Sequence, residues 1–89
     1  MIVEFDKSFD KSLNKVHDTT ILRSLKRIII QIENSPSLST ISHLIKLTGY
    51  SSYYRIRIGD YRVGIELINK TTVRFILIVH RKDIYKIFP

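Results

Sequence analysis

The pattern of apolar and polar residues divides the chain into a short strand, two helices and three further strands. Residues 2–5 ("IVEF") alternate and include β-branched side chains, which predicts a short strand. From Asp6 the apolar residues recur at helical spacing, and Asp6 is suited to cap the start of the helix. A second helix is predicted from Asp18 and ends before Pro36, because a proline disfavours helix at the residue before it. Its apolar stripe consists of Leu22, Leu25, Ile29 and Ile32.

The second half of the chain contains the remaining strands. Residues 37–51 are rich in Ser and Thr and are predicted to form a connection with one helical turn over 41–47, closed by Gly49. Alternating runs then predict strands at about 52–58, 61–68 and 72–79. No repeat or linker divides the 89 residues, so we expect one domain spanning 1–89. The expected fold is α+β in the order β-α-α-β-β-β, with a helical hairpin packed on one face of a small, mainly antiparallel sheet and a short basic C-terminal tail.

The first predicted hairpin brings three arginines to one face. Gly59 and Asp60 are suited to a two-residue turn, which pairs Arg57 with Arg62 and leaves Arg55 on the same face. Opposed like charges destabilise a sheet by at least a few tenths of a kcal/mol, so this face requires an explanation. Guanidinium groups donate planar pairs of N–H groups to anionic oxygens, which favours a phosphate site. The structural alternative is a solvated basic face.

The second predicted hairpin determines what else lies on that face. A three-residue loop over 69–71 would place Glu66 opposite Arg74, which would neutralise it, and Gly64 opposite Ile76. Gly64 would then leave a hollow among the arginines. The opposite face of the three strands would form the core: Tyr54, Ile56, Ile58, Tyr61, Val63, Ile65, Leu67, Val73, Phe75, Leu77 and Val79.

Composition adds a charge surplus to this picture. The chain carries 15 Lys and Arg against 8 Asp and Glu, a formal charge of +7. This surplus favours an anionic partner, with nucleic acid first and a membrane surface or an acidic protein as alternatives. The simpler explanation is that the charge only keeps the protein soluble. The absence of cysteine excludes disulfides and thiolate zinc sites. The longest apolar run, "FILIV", is too short to span a membrane, and no signal peptide is recognisable, so we expect a cytoplasmic protein.

The C-terminal tail concentrates polar and basic side chains beside the last strand. "HRKDIYKIFP" supplies His80, Arg81, Lys82 and Tyr85. Apolar residues in the same segment (Ile84, Ile87 and Phe88) are expected to anchor it, which would direct Arg81 and Tyr85 towards the hollow. The alternatives are simple packing for Tyr85 and a hydrogen-bonded position at the strand end for His80.

Two long segments carry a resemblance to a known family. "YYRIRIGDYRVGIEL" and "VRFILIVHRKDIYKIF", after an amphipathic helical hairpin, resemble the RelE/ParE superfamily of bacterial type II toxin–antitoxin toxins, and most closely its RelE/StbE branch. The resemblance covers nearly the whole chain. It implies a RelE-like fold and a metal-independent mRNA interferase without a cofactor. Such an endoribonuclease enters the ribosomal A site and inhibits translation by cleaving mRNA. The substrate's 2′-hydroxyl attacks the adjacent phosphate and leaves a 2′,3′-cyclic phosphate and a 5′-hydroxyl.

The resemblance also implies roles for individual residues. Arg62 matches a family arginine that acts on the scissile phosphate, and Arg81 matches a second arginine that stabilises the transition state. Tyr85 aligns with a tyrosine that stacks on a base or assists proton transfer. Arg55 and Arg57 stand where the best-understood members carry two lysines.

That departure leaves the general base unassigned. Arginine holds phosphate well but stays protonated near neutral pH, so Arg55 and Arg57, together with Lys82, are expected to grip the RNA backbone instead. His80 becomes the candidate for proton transfer, because histidine titrates near physiological pH. His17 and His43 receive no role.

The resemblance further implies a cognate antitoxin, acidic or partly disordered, through which the pair would bind its own promoter DNA. Three alternatives stay open: a ParE-like inhibitor of DNA gyrase, a non-catalytic nucleic-acid-binding module, and an inactivated toxin that serves as a structural partner of its antitoxin.

Overall fold

The computed structural model describes residues 1–89 and consists of a five-stranded sheet with its two main helices on one face and a short C-terminal helix on the other. The strand order is β1-β5-β4-β3-β2, in which β1 is parallel to β5 and every other pair is antiparallel. No helix has the length and apolar composition needed to cross a membrane. The α+β class and the helical hairpin are confirmed. The elements are β1 (Ile2–Phe5), α1 (Lys7–Leu13), α2 (Thr19–Glu33), a 3-10 helix (Leu38–Thr40), β2 (Leu44–Lys46), β3 (Tyr53–Ile58), β4 (Tyr61–Asn69), β5 (Thr72–His80) and α3 (Ile84–Ile87).

Both main helices begin at an aspartate that caps them. Asp6 accepts a hydrogen bond from the backbone N–H of Ser8 at 3.1 Å, and Asp18 accepts from those of Thr20 and Ile21 at 2.9 and 3.2 Å. These bonds satisfy N–H groups that have no partner within the helix. The apolar stripes of α1 and α2 then pack on the sheet around the buried residues Phe9, Leu25, Ile32, Ile56, Val63, Ile65, Phe75 and Ile78.

The predicted helical turn over residues 41–47 is wrong. Leu44–Lys46 forms β2, which pairs antiparallel with β3 so that Leu44 lies opposite Ile56. A strand of three residues is too short for its alternation to be recognised in the sequence. The otherwise open edge of β3 supplies the hydrogen-bonding partners that the sequence pattern alone does not reveal.

The second hairpin confirms one part of the predicted register and corrects another. Glu66 lies opposite Arg74 as expected, but a β-bulge follows, so Gly64 faces Leu77 instead of Ile76. Because a shift of one residue exchanges the two faces of a strand, Ile78 joins the core beneath the helices. Leu77 and Val79, which we expected there, pack on the opposite face.

That opposite face carries a second apolar cluster formed with the tail. Leu47, Leu77, Ile84 and Phe88 make up this tail cluster and are all buried. The predicted hollow at Gly64 is wrong, because the Phe88 ring occupies it: a Cβ atom added to Gly64 would lie 2.7 Å from two ring carbons.

The predicted neutralisation of Arg74 by Glu66 is also wrong. Arg74 forms its ion pair with Glu4, at 3.1 Å between Nη2 and Oε1. The pairing of β1 with β5 sets Glu4 directly beside Arg74. The sequence pattern did not specify which strand would flank β5, so this partner could not be anticipated.

Candidate functional site

The first hairpin has the predicted register, so its two opposed arginines are adjacent. Arg57 pairs with Arg62 across the strands, and Arg55 pairs with Gly64 on the same face. Each guanidinium of the opposed pair has its own acceptors. Arg62 Nη1 donates to the carbonyls of Gly59 and Tyr61, both at 2.9 Å. These bonds use one end of the guanidinium and direct it towards the turn.

Arg57 is bound by a histidine on the neighbouring strand end. Its Nη2 lies 3.0 Å from Nδ1 of His43, and its backbone N–H donates to the His43 carbonyl at 3.1 Å. A guanidinium can only donate hydrogen bonds, so Nδ1 is the acceptor in this contact. The like-charged pair is therefore accommodated because both guanidiniums are turned towards lone pairs.

Tyr85 borders the same face from helix α3. The Arg55 Cζ atom lies 4.7 Å from the centroid of the Tyr85 ring, which is the geometry of a cation–π contact. Ile84 and Phe88 are buried before and after this residue in the chain and hold α3 on the sheet. Tyr85 itself is 74% exposed. Ile87, the third expected anchor, is exposed.

Two cavities join these groups into one site, which we call the arginine site. The turn cavity, of about 730 Å³, is bordered by Arg27, His43, Arg57, Asp60, Arg62 and Arg81. The tyrosine cavity, of about 360 Å³, is bordered by His43, Ile45, Arg55, Arg57, Arg62 and Tyr85. The two share His43, Arg57 and Arg62. Five guanidiniums thus surround adjoining space that contains a single carboxylate.

Arg81 is held at the turn cavity by the hairpin turn. Its backbone N–H donates to the Asp60 carbonyl at 2.8 Å, and its Nε atom lies 3.7 Å from Asp60 Oδ1. Both side chains are more than half exposed, so this ion pair is weak and a competing anion can displace it. An arginine site with this charge excess is suited to bind phosphate groups.

His80 lies apart from the arginines with which we grouped it. It borders a different cavity, of about 430 Å³ between α1 and β5, and its ring lies 5.8 Å from that of Tyr61. Its Nδ1 accepts from the Lys82 backbone N–H at 3.2 Å. The bulge in β5 is the reason, because it turns His80 towards the helices. Lys82 is exposed after β5 and borders neither cavity of the arginine site.

Two residues of the arginine site were missed in the sequence. Arg27 lies on the polar face of α2, where its pattern was that of an ordinary solvated arginine. His43 directly precedes the unrecognised strand β2, and its backbone φ of +61° lies in the left-handed region. Within one sequence, no signal distinguished His43 from the other two histidines. No three His, Cys, Asp or Glu side chains come together as a candidate metal site.

Known proteins resemble this chain in sequence and in structure. Residues 3–85 match the sequence profile of a family described as "ParE toxin of type II toxin-antitoxin system, parDE". Toxin RelE3 of Methanocaldococcus jannaschii is 44% identical over 90 residues, which cover the whole of both chains.

Two solved complexes extend the similarity to structure. In the RelB–RelE antitoxin–toxin complex from Methanococcus jannaschii, a chain with 43% identity superposes with a TM-score of 0.82, covering 97% of this chain and 99% of that one. In the intact E. coli RelBE toxin–antitoxin complex, a chain with 25% identity gives a TM-score of 0.62, covering 88% and 97%.

Proposed function

This chain belongs to the ParE toxin family of type II toxin–antitoxin systems, within the RelE/ParE superfamily, and from that premise we propose that it is an mRNA interferase. The proposed enzyme is an endoribonuclease that cleaves mRNA in the ribosomal A site and so inhibits translation. The observation that carries the proposal is the arginine site, in which five guanidiniums surround two adjoining cavities and face one carboxylate.

The chemistry proposed for this site is attack of the RNA 2′-hydroxyl on the adjacent phosphate. The pentavalent phosphorane that forms carries more negative charge on its oxygens than the starting diester. Preorganised cations stabilise that charge and lower the barrier. Arg62 and Arg81 are the residues we assign to the phosphate. Two backbone carbonyls fix the Arg62 guanidinium. The backbone of Arg81 is bonded to the turn, and its guanidinium forms only a weak pair with Asp60, which a phosphate can replace.

The remaining groups are assigned to binding the RNA chain. Arg55 and Arg57 extend the positive surface along β3 and would contact phosphates next to the scissile one. Lys82 is exposed beyond the strand end, where a longer RNA would pass. Tyr85 presents an exposed ring beside Arg55, which is suited to stack on a base. His80 faces another cavity, so we give it no contact with the reacting atoms.

We also propose a cognate antitoxin as the partner that neutralises this surface. The similar chains from Methanococcus jannaschii and E. coli were solved in complexes with RelB antitoxins. A formal charge of +7 favours an acidic partner, because complementary charge accelerates association and excludes wrong partners. Promoter DNA would be bound through the antitoxin.

A second candidate function has one observation in its favour. The family profile that matches residues 3–85 is described as a ParE toxin, which keeps inhibition of DNA gyrase as the alternative. In that case the arginine site would serve for binding another partner, without RNA cleavage. A non-catalytic toxin would likewise bind nucleic acid with a strong salt dependence and leave it intact.

The test is a pulse of expression in cells, with protein synthesis, mRNA ends and DNA integrity followed together. We expect translation to stop first and new mRNA ends to fall within codons. Arg62→Ala and Arg81→Ala should each abolish this effect. Arg23→Ala, which removes an exposed arginine of α2 outside both cavities, should retain it. DNA breaks that precede the arrest of translation would instead support gyrase as the target.

A further inference from the structure

The arginine site contains a histidine that is held in place twice. Both the carbonyl and the Nδ1 atom of His43 accept hydrogen bonds from Arg57, at 3.1 and 3.0 Å. Its φ of +61° is uncommon for a side chain larger than glycine. Residues held in such backbone conformations cluster at functional sites, where surrounding contacts maintain them. His43 also borders both cavities, at the point where they adjoin.

The reaction proposed above requires a group that accepts a proton, and the arginines cannot supply it. Arginine stays protonated, and tyrosine titrates near pH 10. The one carboxylate, Asp60, is paired with Arg81, and its side chain is 74% exposed. Histidine titrates near physiological pH, and His43 is the one histidine that borders either cavity.

We infer that His43 is the general base that accepts the 2′-hydroxyl proton, an inference that rests on the proposed function. In the free protein the Arg57 guanidinium is hydrogen-bonded to Nδ1 of His43. A bound phosphate would compete for the Arg57 guanidinium, because charged oxygens are stronger acceptors than a neutral ring nitrogen. Nδ1 is then free to accept a proton while Nε2 keeps its own.

The step balances without any further reactant. The O–H bond of the 2′-hydroxyl breaks as its proton moves to Nδ1, and the oxygen forms a bond to phosphorus while the P–O5′ bond breaks. The leaving 5′ oxygen takes a proton from water, and the imidazolium returns its proton to the hydroxide that this produces. The products are the 2′,3′-cyclic phosphate and the 5′-hydroxyl.

The charged groups around His43 are known from the cavity walls. Arg55 and Arg57 face it from β3, Arg62 from β4 and Arg27 from α2; Asp60 lies in the hairpin turn, Arg81 follows β5 and Tyr85 belongs to α3. The imidazolium formed in the reaction is therefore surrounded by cations. A substrate phosphate compensates these charges, so proton transfer to His43 depends on bound RNA.

The variant that tests the inference is His43→Asn. Asparagine tolerates the left-handed backbone and can accept a hydrogen bond from Arg57 through its side-chain oxygen, but it does not titrate. We expect single-turnover cleavage of mRNA on programmed ribosomes to fall about 10²–10⁴-fold, the usual contribution of a general base. The rise of the rate with pH through the histidine range should disappear. RNA affinity should stay within about twofold of wild type, because no arginine is removed.

A second variant distinguishes loss of the general base from misfolding. In His43→Gly the backbone conformation is accessible without strain, and the exposed position leaves room for added imidazole. We expect imidazole to restore cleavage in a concentration-dependent manner. The control is His17→Gln, which changes an exposed histidine before α2 that borders no cavity and should cleave as wild type does.

The outcomes separate the role of His43 from the proposed function as a whole. If the wild type cleaves RNA and His43→Asn keeps its pH profile, His43 at most positions Arg57 and the inference is overturned, while the proposed function stands. If the wild type cleaves neither ribosome-bound nor free RNA, the proposed function and the inference fail together.

Discussion

The contact between Gly64 and Phe88 allows a quantitative prediction about how the tail is held on the sheet. Gly64→Ala would put a methyl group 2.7 Å from the Phe88 ring, well inside van der Waals contact. Gly64 lies in the middle of β4, paired on both sides, so its backbone cannot move away easily. Phe88 follows the short helix α3 and belongs to no strand, so its ring is the group that yields.

The size of the effect follows from what Phe88 contributes. Its side chain is 7% exposed, and full burial of a phenylalanine contributes about 1.5–3 kcal/mol. Overpacking in a core typically costs about 1–3 kcal/mol. Because the ring can be expelled, the loss cannot greatly exceed the value of its burial. We therefore expect Gly64→Ala to lower the free energy of unfolding by about 1–3 kcal/mol.

A double-mutant cycle in urea isolates this contact from other effects of the substitution. In a Phe88→Ala background the added methyl no longer meets the ring, so Gly64→Ala should cost less than about 0.5 kcal/mol, which leaves a coupling of about 0.5–3 kcal/mol. The control is Gly59→Ala. Gly59 has a φ of +55°, and its added Cβ would contact Ile21 on the opposite face, so its cost should be the same in both backgrounds.

Equal costs of Gly64→Ala with and without Phe88 would refute this account of the tail. The same displacement should reach the arginine site, since α3 carries Tyr85 to its position over Arg55. A Gly64→Ala protein that is less stable but retains wild-type RNA affinity would show that Tyr85 is not needed for binding.

Two further predictions concern charge. The hydrogen bonds from Ser8 hold the pKa of the Asp6 carboxyl below its usual value. A carboxyl whose pKa is lowered by folding stabilises the protein above its unfolded pKa, and this stabilisation is lost as the pH falls through the folded pKa. Asp6→Asn should therefore have a lower melting temperature than wild type at pH 7, and the difference should shrink in acid; a constant difference from pH 7 to pH 2 would contradict this assignment. Binding of an uncleavable 2′-deoxy RNA analogue should weaken with salt, and Arg55→Ala should reduce the slope of log K against log salt by about 0.7, the value for one phosphate contact on a single strand. Arg23→Ala should leave that slope unchanged, and an equal reduction in both variants would show that only overall charge matters.

Local patterns were sufficient where neighbouring residues decide the structure. Asp6 and Asp18 predict the starts of their helices, because a capping side chain accepts hydrogen bonds from N–H groups two or three residues further along the chain. The Gly59–Asp60 turn determined the register of β3 and β4, and hence the opposition of Arg57 and Arg62, because a two-residue loop permits one pairing. The helix caps and the hairpin turn supplied the fold class and three of the five arginines of the site, Arg55, Arg57 and Arg62.

The bulge in β5 is where local patterns failed. "FILIV", residues 75–79, is apolar at successive positions, so either face could be the buried one. The choice depends on which residues fit beneath α1 and α2 and which fit beneath the tail, and both partners are distant in sequence. The same bulge separates His80 from the arginines, so an error of one residue changed the expected composition of the site.

The sequence by itself determined the two main helices, the first hairpin and a concentration of arginine on one face, because each follows from residues close together in the chain. Only the tertiary structure decided which side chains share that face. The pairing of β2 with β3 brings His43 to Arg57, and the packing of Phe88 on Gly64 brings Tyr85 to Arg55. Both contacts join segments that are distant in sequence. These segments come together because apolar surfaces are buried between them, and a short-range sequence pattern does not show which surfaces those are.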